Sequence, residues 1–374
     1  MSPLFALLWG KESRSAATAA ALGEEEWHAL SRLAEQHRLR PMLHRRSTTE
    51  SWPVPQHLAR QWLNSYNRAA LRALGQRAAL ARIGAALSAG GIKAAVLKGG
   101  AFVWSAGFDP GLRPMRDLDL LIAPDDAARV VEILSAAGFA GGSAALSGSG
   151  KHLPPMTSGG LIVEVHLHLF DTYDDVAAER EARYIARAWQ RAEAAAVPGI
   201  CALCPADTLL HLILHAVLDH QFNNGPLLLG DLKLLIGSGR IDWALFWNEA
   251  ERLEAVRACQ LALGVVKQLA GIVVEWGEHT PADLSPDQVE RVSRLMLVGL
   301  AQRSAVGWPG QLLRLPLRRW PGQLLTMLRR RRRRDVNDVE GAGMLAAVGH
   351  ALGDQGRSDI ADALDIARWL GRKA

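Results

Sequence analysis

LKGGAFVWSAGFDPGLRPMRDLDLLI, residues 97–122, decides how this chain is read. It joins a Lys98-Gly99-Gly100 turn to an apolar run, MRDLDLLIA (115–123), that carries Asp117 and Asp119. Side chains two apart on a strand project from the same face, so the two aspartates point together while Leu118 and Leu120 point the other way. Like charges that close repel, and burying them unpaired costs several kcal/mol or forces protonation. A hard divalent cation such as Mg²⁺ removes the conflict, because it binds oxygen ligands gathered at one point. The competing reading pairs Asp117 with Arg116 or Arg113 and leaves Asp119 at an exposed edge.

A third carboxylate stands downstream. LIVEVHLHLF (161–170) alternates Ile162, Glu164, His166 and His168 with an apolar series, the pattern of a half-buried strand with a polar face. Upstream, IKAAVL (92–97) is a short β-prone run, and AFVWSAGF suits a helical turn. DPGLRP is loop chemistry, and PDDAARVVEILSAAGF (124–139) is a helix opened by Pro124 and two aspartates and closed by Gly138. The Gly/Ser-rich stretch before residue 161 reads as a mobile loop or loose hairpin. The middle of the chain is therefore a compact α/β (α+β) unit with a small mixed sheet.

Helices flank it. EEEWHALSRLAEQHRL (24–39) and a run from about 55 to 87 show helical spacing before the core, and ADTLLHLILHAVLDHQF (206–222) begins a second helical series after it. Three regions are expected: an N-terminal helical region over 1–88, the core over 89–200, and a C-terminal helical domain over 201–374. The formal charge of +5 belongs to one segment: residues 303–334 hold ten arginines and no acid, and without them 33 basic residues face 38 acidic ones. That segment contains WPGQLL twice, twelve residues apart, before six consecutive arginines. It fits a docking loop for an acidic partner, with a nucleic-acid patch and an amphipathic surface stretch as alternatives. Three cysteines and no long uncharged apolar run point to a cytoplasmic protein without a membrane span.

Taken together, Lys98-Gly99-Gly100, the DPGLRPMRDLDLLI block, the helix ending in Gly138-Phe139, VEVHL, LHLILHAVLDHQF and Gly230-Asp231-Leu232 resemble the bacterial uncharacterised nucleotidyltransferase family. That family is often encoded near lasso-peptide or polysaccharide biosynthesis and belongs to the DNA polymerase β-like superfamily. EQHRLRP (35–41) resembles its opening helices, and the likeness runs from about residue 27 to about 240. The resemblance implies a polymerase β-like core in which Asp117, Asp119 and Glu164 hold metal, two Mg²⁺ ions in the usual arrangement. Lys98, Gly99, Gly100, Arg113 and Arg116 would meet the phosphates of an NTP, ATP above others. Two departures stand out: Gly100 replaces the superfamily's turn serine, and the gap from the turn to Asp117 is long.

The implied reaction moves a nucleotidyl, chiefly adenylyl, group onto a hydroxyl or phosphate of a peptide natural product, saccharide or small molecule. Phosphoryl transfer from the same site is the variant. A degenerate nucleotide-binding or partner-docking module, or an RNA-directed enzyme using the arginine segment, are the alternatives. His166, beside Glu164, is a base, substrate contact or cation ligand, and His215 is a site-wall residue. Cys201-x-x-Cys204 with His211 and His215 has zinc-ligand types, but the gap is far shorter than in a zinc finger.

Overall fold

A computed structural model of the 374-residue chain describes residues 2–105, 107–143, 150–172, 174–299 and 354–371. The arginine-rich segment 303–334 and both WPGQLL copies lie outside the described residues. Among those described, thirteen α-helices surround one seven-stranded mixed sheet. The fold is mixed α/β. No described helix is long and apolar enough to cross a membrane.

Five helices come first: α1 (Pro3–Trp9), α2 (Glu12–Ala21), α3 (Glu24–Gln36), α4 (Arg40–Thr49) and α5 (Gln56–Ala89). Pro41 does not simply end the first strong helical pattern; it sits in the first turn of α4, where its missing N–H is harmless. The sheet strands are β1 (Ala94–Val96), β2 (Asp117–Ile122), β3 (Ala140–Gly141), β4 (Met156–Ser158), β5 (Leu161–His166), β6 (Glu193–Ala194) and β7 (Cys201–Ala202). Their spatial order is β3-β4-β5-β2-β1-β7-β6. β1 runs antiparallel to β2, while β2 pairs in parallel with β5.

A parallel neighbour needs a crossover. Here the connection from β2 to β5 contains α6 (Ala127–Ala136) and the short β3–β4 pair. Gly138, at φ +88, ends α6 by letting Phe139 N donate back to Leu134 O at 3.0 Å, a Schellman closure. The remaining helices are α7 (Asp175–Gln190), α8 (Pro205–Leu214), α9 (Leu227–Gly237), α10 (Trp243–Arg252), α11 (Val256–Ala270), α12 (Pro286–Met296) and α13 (Asp354–Leu370).

The two sheet faces differ in kind. Leu118, Leu120, Ile122, Val163 and Val165 bury one face against Leu80, Ile83 and Leu87 of α5 and Val130 and Leu134 of α6. The other face carries Ala95 and Leu121 into a larger core shared by N-terminal residues such as Trp27 and Trp62 and C-terminal ones such as Leu209 and Ile213. Asp117, Asp119, Glu164 and His166 lie on this second face, Asp119 and His166 buried and Asp117 and Glu164 partly exposed. β5 stops at His166, four residues short of the run expected from alternation. The backbone N–H groups of Leu169 and Phe170 instead donate to Glu181 Oε1, each at 2.7 Å. His168 therefore leaves the strand face and pairs with Glu181 Oε2 at 3.2 Å.

Candidate active site

The strand register builds the centre of the site. In the parallel β2–β5 pair Asp119 sits opposite Glu164, and Leu121 sits opposite His166. Ligating atoms of Asp119, Glu164 and His166 all lie within 4.8 Å of one another. His166 Nε2 is 2.9 Å from Asp119 Oδ1 and 3.8 Å from Glu164 Oε2. Asp117, half-buried at the start of β2, shares the face one pleat away.

The Lys-Gly-Gly turn answers this charge. Lys98 holds a left-handed backbone, φ +50, rare for a non-glycine residue and found where surroundings over-determine it. That conformation sends Nζ to Asp119 Oδ1 at 2.7 Å. Close packing explains the glycines, Gly100 against β1 above all. A Cβ on Gly99 would lie 2.9 Å from Arg113 Cζ, and one on Gly100 would lie 2.5 Å from Val96 Cγ2. The missing turn serine is thus a consequence of how tightly the turn sits on β1.

Three carboxylates around one ammonium titrate unequally. Burial pushes the Asp119 carboxyl up, but the Lys98 charge and the His166 hydrogen bond outweigh it and hold Asp119 well below its ordinary range. Burial and then Asp119 raise Asp117, against the opposing pull of Lys98 and Arg38. Burial and Asp119 likewise raise Glu164. Burial depresses Lys98, yet Asp119, Asp117 and Glu164 together leave it raised. Lys98 pairs directly with Asp119, while Asp117, even with the Arg38 charge acting on it, and Glu164 stay raised.

Histidines wall the far side. Burial lowers His166 to about 4, with the Asp119 bond resisting, so at neutral pH the ring is neutral and its Nε2–H donates to Asp119. Its Nδ1 is buried without a partner. His211 of α8 is 1 % exposed with neither ring nitrogen partnered, and burial lowers it to about 3. His215, one residue past α8 in a π-helical turn over His215–Asp219, places Nδ1 3.2 Å from Asp219 Oδ2. Asp219 also takes Lys151 Nζ at 2.7 Å. Lys151 stands in the Gly/Ser-rich stretch expected to be a mobile loop, yet it is buried. It is buried because Leu153 N and Leu167 N tie that stretch to the end of β5.

The arginines separate. Arg113 makes a bidentate pair with Asp231 of α9, Nε to Oδ1 at 3.0 Å and Nη2 to Oδ2 at 2.7 Å, while its guanidinium rests on Gly99. Arg116 is exposed at the edge before β2. Arg38, not singled out from the sequence, stands in the α3–α4 turn at φ +60, and its charge reaches Asp117. Its signal was its place in EQHRLRP. The cysteines take no part: Cys204 Sγ donates to Asp207 Oδ2 at 3.1 Å, burial pushes its thiol up to about 11, and no described group of three ligating side chains includes either Cys201 or Cys204.

An uncharacterised nucleotidyltransferase family model matches residues 23–271, more than half of the chain. The chain belongs to that family. This uncharacterised nucleotidyltransferase is an enzyme that transfers nucleotidyl groups, and an NTP is its substrate. The matched span covers α3 through α11 and so includes every site residue named above. No curated protein and no solved structure matches this nucleotidyltransferase.

Proposed function

We propose that the face of β2 and β5 bearing Asp117, Asp119 and Glu164 is the catalytic centre, and that it moves a nucleotidyl group from an NTP, ATP above others, to a hydroxyl or phosphate of its acceptor. A peptide natural product, a saccharide or a small molecule is the acceptor class this reading carries forward. The observation that supports it is the register pairing of Asp119 with Glu164, next to Asp117, on a partly buried sheet face with one internal ammonium. Buried carboxylates in excess of their partners are stable only when a cation or a proton joins them.

The donor set fits a divalent ion, Mg²⁺ in the first instance. Asp119, Glu164 and His166 converge within 4.8 Å, and the Lys98 ammonium already stands as a positive charge on Asp119. Bound there by these residues and Asp117, the ion would supply Lewis-acid neutralisation of the phosphate oxygens. The chain's own groups do the rest. Lys98 and Arg38 bring positive charge to the phosphates, and Arg113, fixed by Asp231, walls the turn that approaches them. His166, neutral at pH 7, donates its Nε2–H to Asp119 and so orients that carboxylate beside Glu164.

The test is transfer of label from α-³²P-ATP to acceptors drawn from extracts of the producing cell, with Mg²⁺ and with EDTA. Label should reach an acceptor in the wild type and not in Asp117→Ala or Asp119→Ala. Equal, EDTA-insensitive labelling by all three proteins would sink this assignment.

A further inference from the structure

Beside the carboxylate cluster, on the other side of Arg113, lies a cavity of about 170 Å³. Its walls come from four segments distant in sequence: Leu8 of α1, Met42 of α4, Phe108 and Leu112 of the loop before β2, and Leu227 of α9. Arg113 is shared, since it packs on Gly99 while its partner Asp231 lines the cavity. Three arginines reach the lining. Arg113 is neutralised by Asp231 and Arg46 by Glu50 at 2.8 Å, whereas Arg45, exposed at the rim, has no ion pair among the described residues. The cavity therefore has apolar walls and one surplus positive charge.

A second, independent feature adjoins it at Gly230. The Trp9 indole N–H is buried without a hydrogen-bond partner, in a residue 2 % exposed. Its nitrogen lies 3.8 Å from where a Cβ on Gly230, a lining residue, would stand. A buried donor left unmade is costly, so this indole is a sensitive reporter of what settles against the Gly230 wall. A nucleobase fits poorly, because its ring edge needs several free donors and acceptors and the Arg113–Asp231 groups already face each other. The volume is below that of a pocket enclosing a whole drug-sized ligand, so it suits one group of a larger molecule.

We propose that this cavity is the acceptor-recognition pocket of the transfer reaction, and that it takes an apolar acyl or aryl group carrying one negative charge, paired by Arg45. The proposal rests on the nucleotidyl-transfer reading, and its test separates the two. In full-length protein labelled with ¹⁵N-tryptophan, the Trp9 indole signal, assigned with Trp9→Phe, is followed during titration with octanoate, octan-1-ol and adenosine. Octanoate should shift that signal saturably, octan-1-ol should bind at least tenfold more weakly, and Arg45→Glu should weaken octanoate at least tenfold. Gly230→Val, which narrows the cavity from within, should do the same. Asp119→Asn should keep the octanoate response while losing stabilisation by Mg²⁺ and ATP; if it kept both, the transfer reading would fail and the pocket would stand. A Trp9 signal that moves with adenosine and not octanoate overturns the proposal in favour of a base pocket. A signal indifferent to all three probes, or equal binding of octanoate and octan-1-ol, overturns it outright.

Discussion

Replacing Lys98 with methionine removes the one ammonium inside the carboxylate cluster while keeping the length of the side chain. At 2.7 Å from Asp119 and an effective dielectric near 20, the lost attraction is about 6 kcal/mol before solvation is counted. Lys98 and Asp119 are both largely buried, so breaking the pair falls in the roughly 3–5 kcal/mol class. At about 2 °C per kcal/mol, the low end suited to a long chain, the melting temperature should drop by roughly 6–10 °C. The strained left-handed backbone is common to both proteins and cancels. The informative arm is the divalent ion. In the wild type an incoming cation competes with Lys98 for Asp119, whereas the variant leaves Asp119 without that ammonium and the cluster with the Arg38 charge on Asp117. An ion at a hundred times its Kd returns about 2.7 kcal/mol. Differential scanning fluorimetry with EDTA, Mg²⁺ and Mn²⁺ should therefore show a larger ion-dependent rise in Lys98→Met than in the wild type. A variant that melts with the wild type in EDTA, or equal ion shifts in both, would refute the reasoning.

Three further outcomes follow from the same geometry. His211 titrates near 3 in the fold and near 6.5 when unfolded, so the unfolded form takes up its proton first; stability is full above about 6.5 and falls toward pH 3 by roughly 1.4 kcal/mol per unit. His211→Phe should remove that share of the slope in urea titrations at pH 7, 6 and 5, leaving the share of His166, which lasts down to about 4, and that of His215, which burial also holds well below its ordinary value. Arg113→Ala and Asp231→Ala should each cost roughly 3–5 kcal/mol in denaturant unfolding, and the double variant should fall short of their sum by about 1–3 kcal/mol. Arg38→Gly removes a charge and relieves a left-handed residue, so it should keep or raise the melting temperature while lowering kcat/KM at least about tenfold, a loss of about 1.4 kcal/mol in transition-state binding.

What the sequence disclosed is uneven for a physical reason. Asp117, Asp119 and Glu164 interrupt apolar strands at period two, so each acid is conspicuous and its face is fixed by alternation. Alternation does not give register. That Asp119 rather than Asp117 meets Glu164 follows from a parallel pairing set through a long crossover. Nor does it give strand ends: β5 stops where Glu181, eleven residues past Phe170, captures the backbone.

The cations are hidden for the opposite reason. With 43 lysines and arginines, a basic residue is never out of pattern in this chain. Lys98 is conspicuous only because glycines follow it. Arg38 and Lys151 stood in a turn and a loop that composition made ordinary, and the partner of Arg113 lies 118 residues away. Yet these are the groups that make the acids tolerable. Lys98 stabilises Asp119, Lys151 stabilises Asp219 beneath the histidines, and Arg113 spends its charge on Asp231, leaving Asp117 and Glu164 with raised pKa values. That imbalance is what makes the sheet face a place for chemistry rather than a set of closed ion pairs: a fully compensated cluster would have no electrostatic reason to accept a cation.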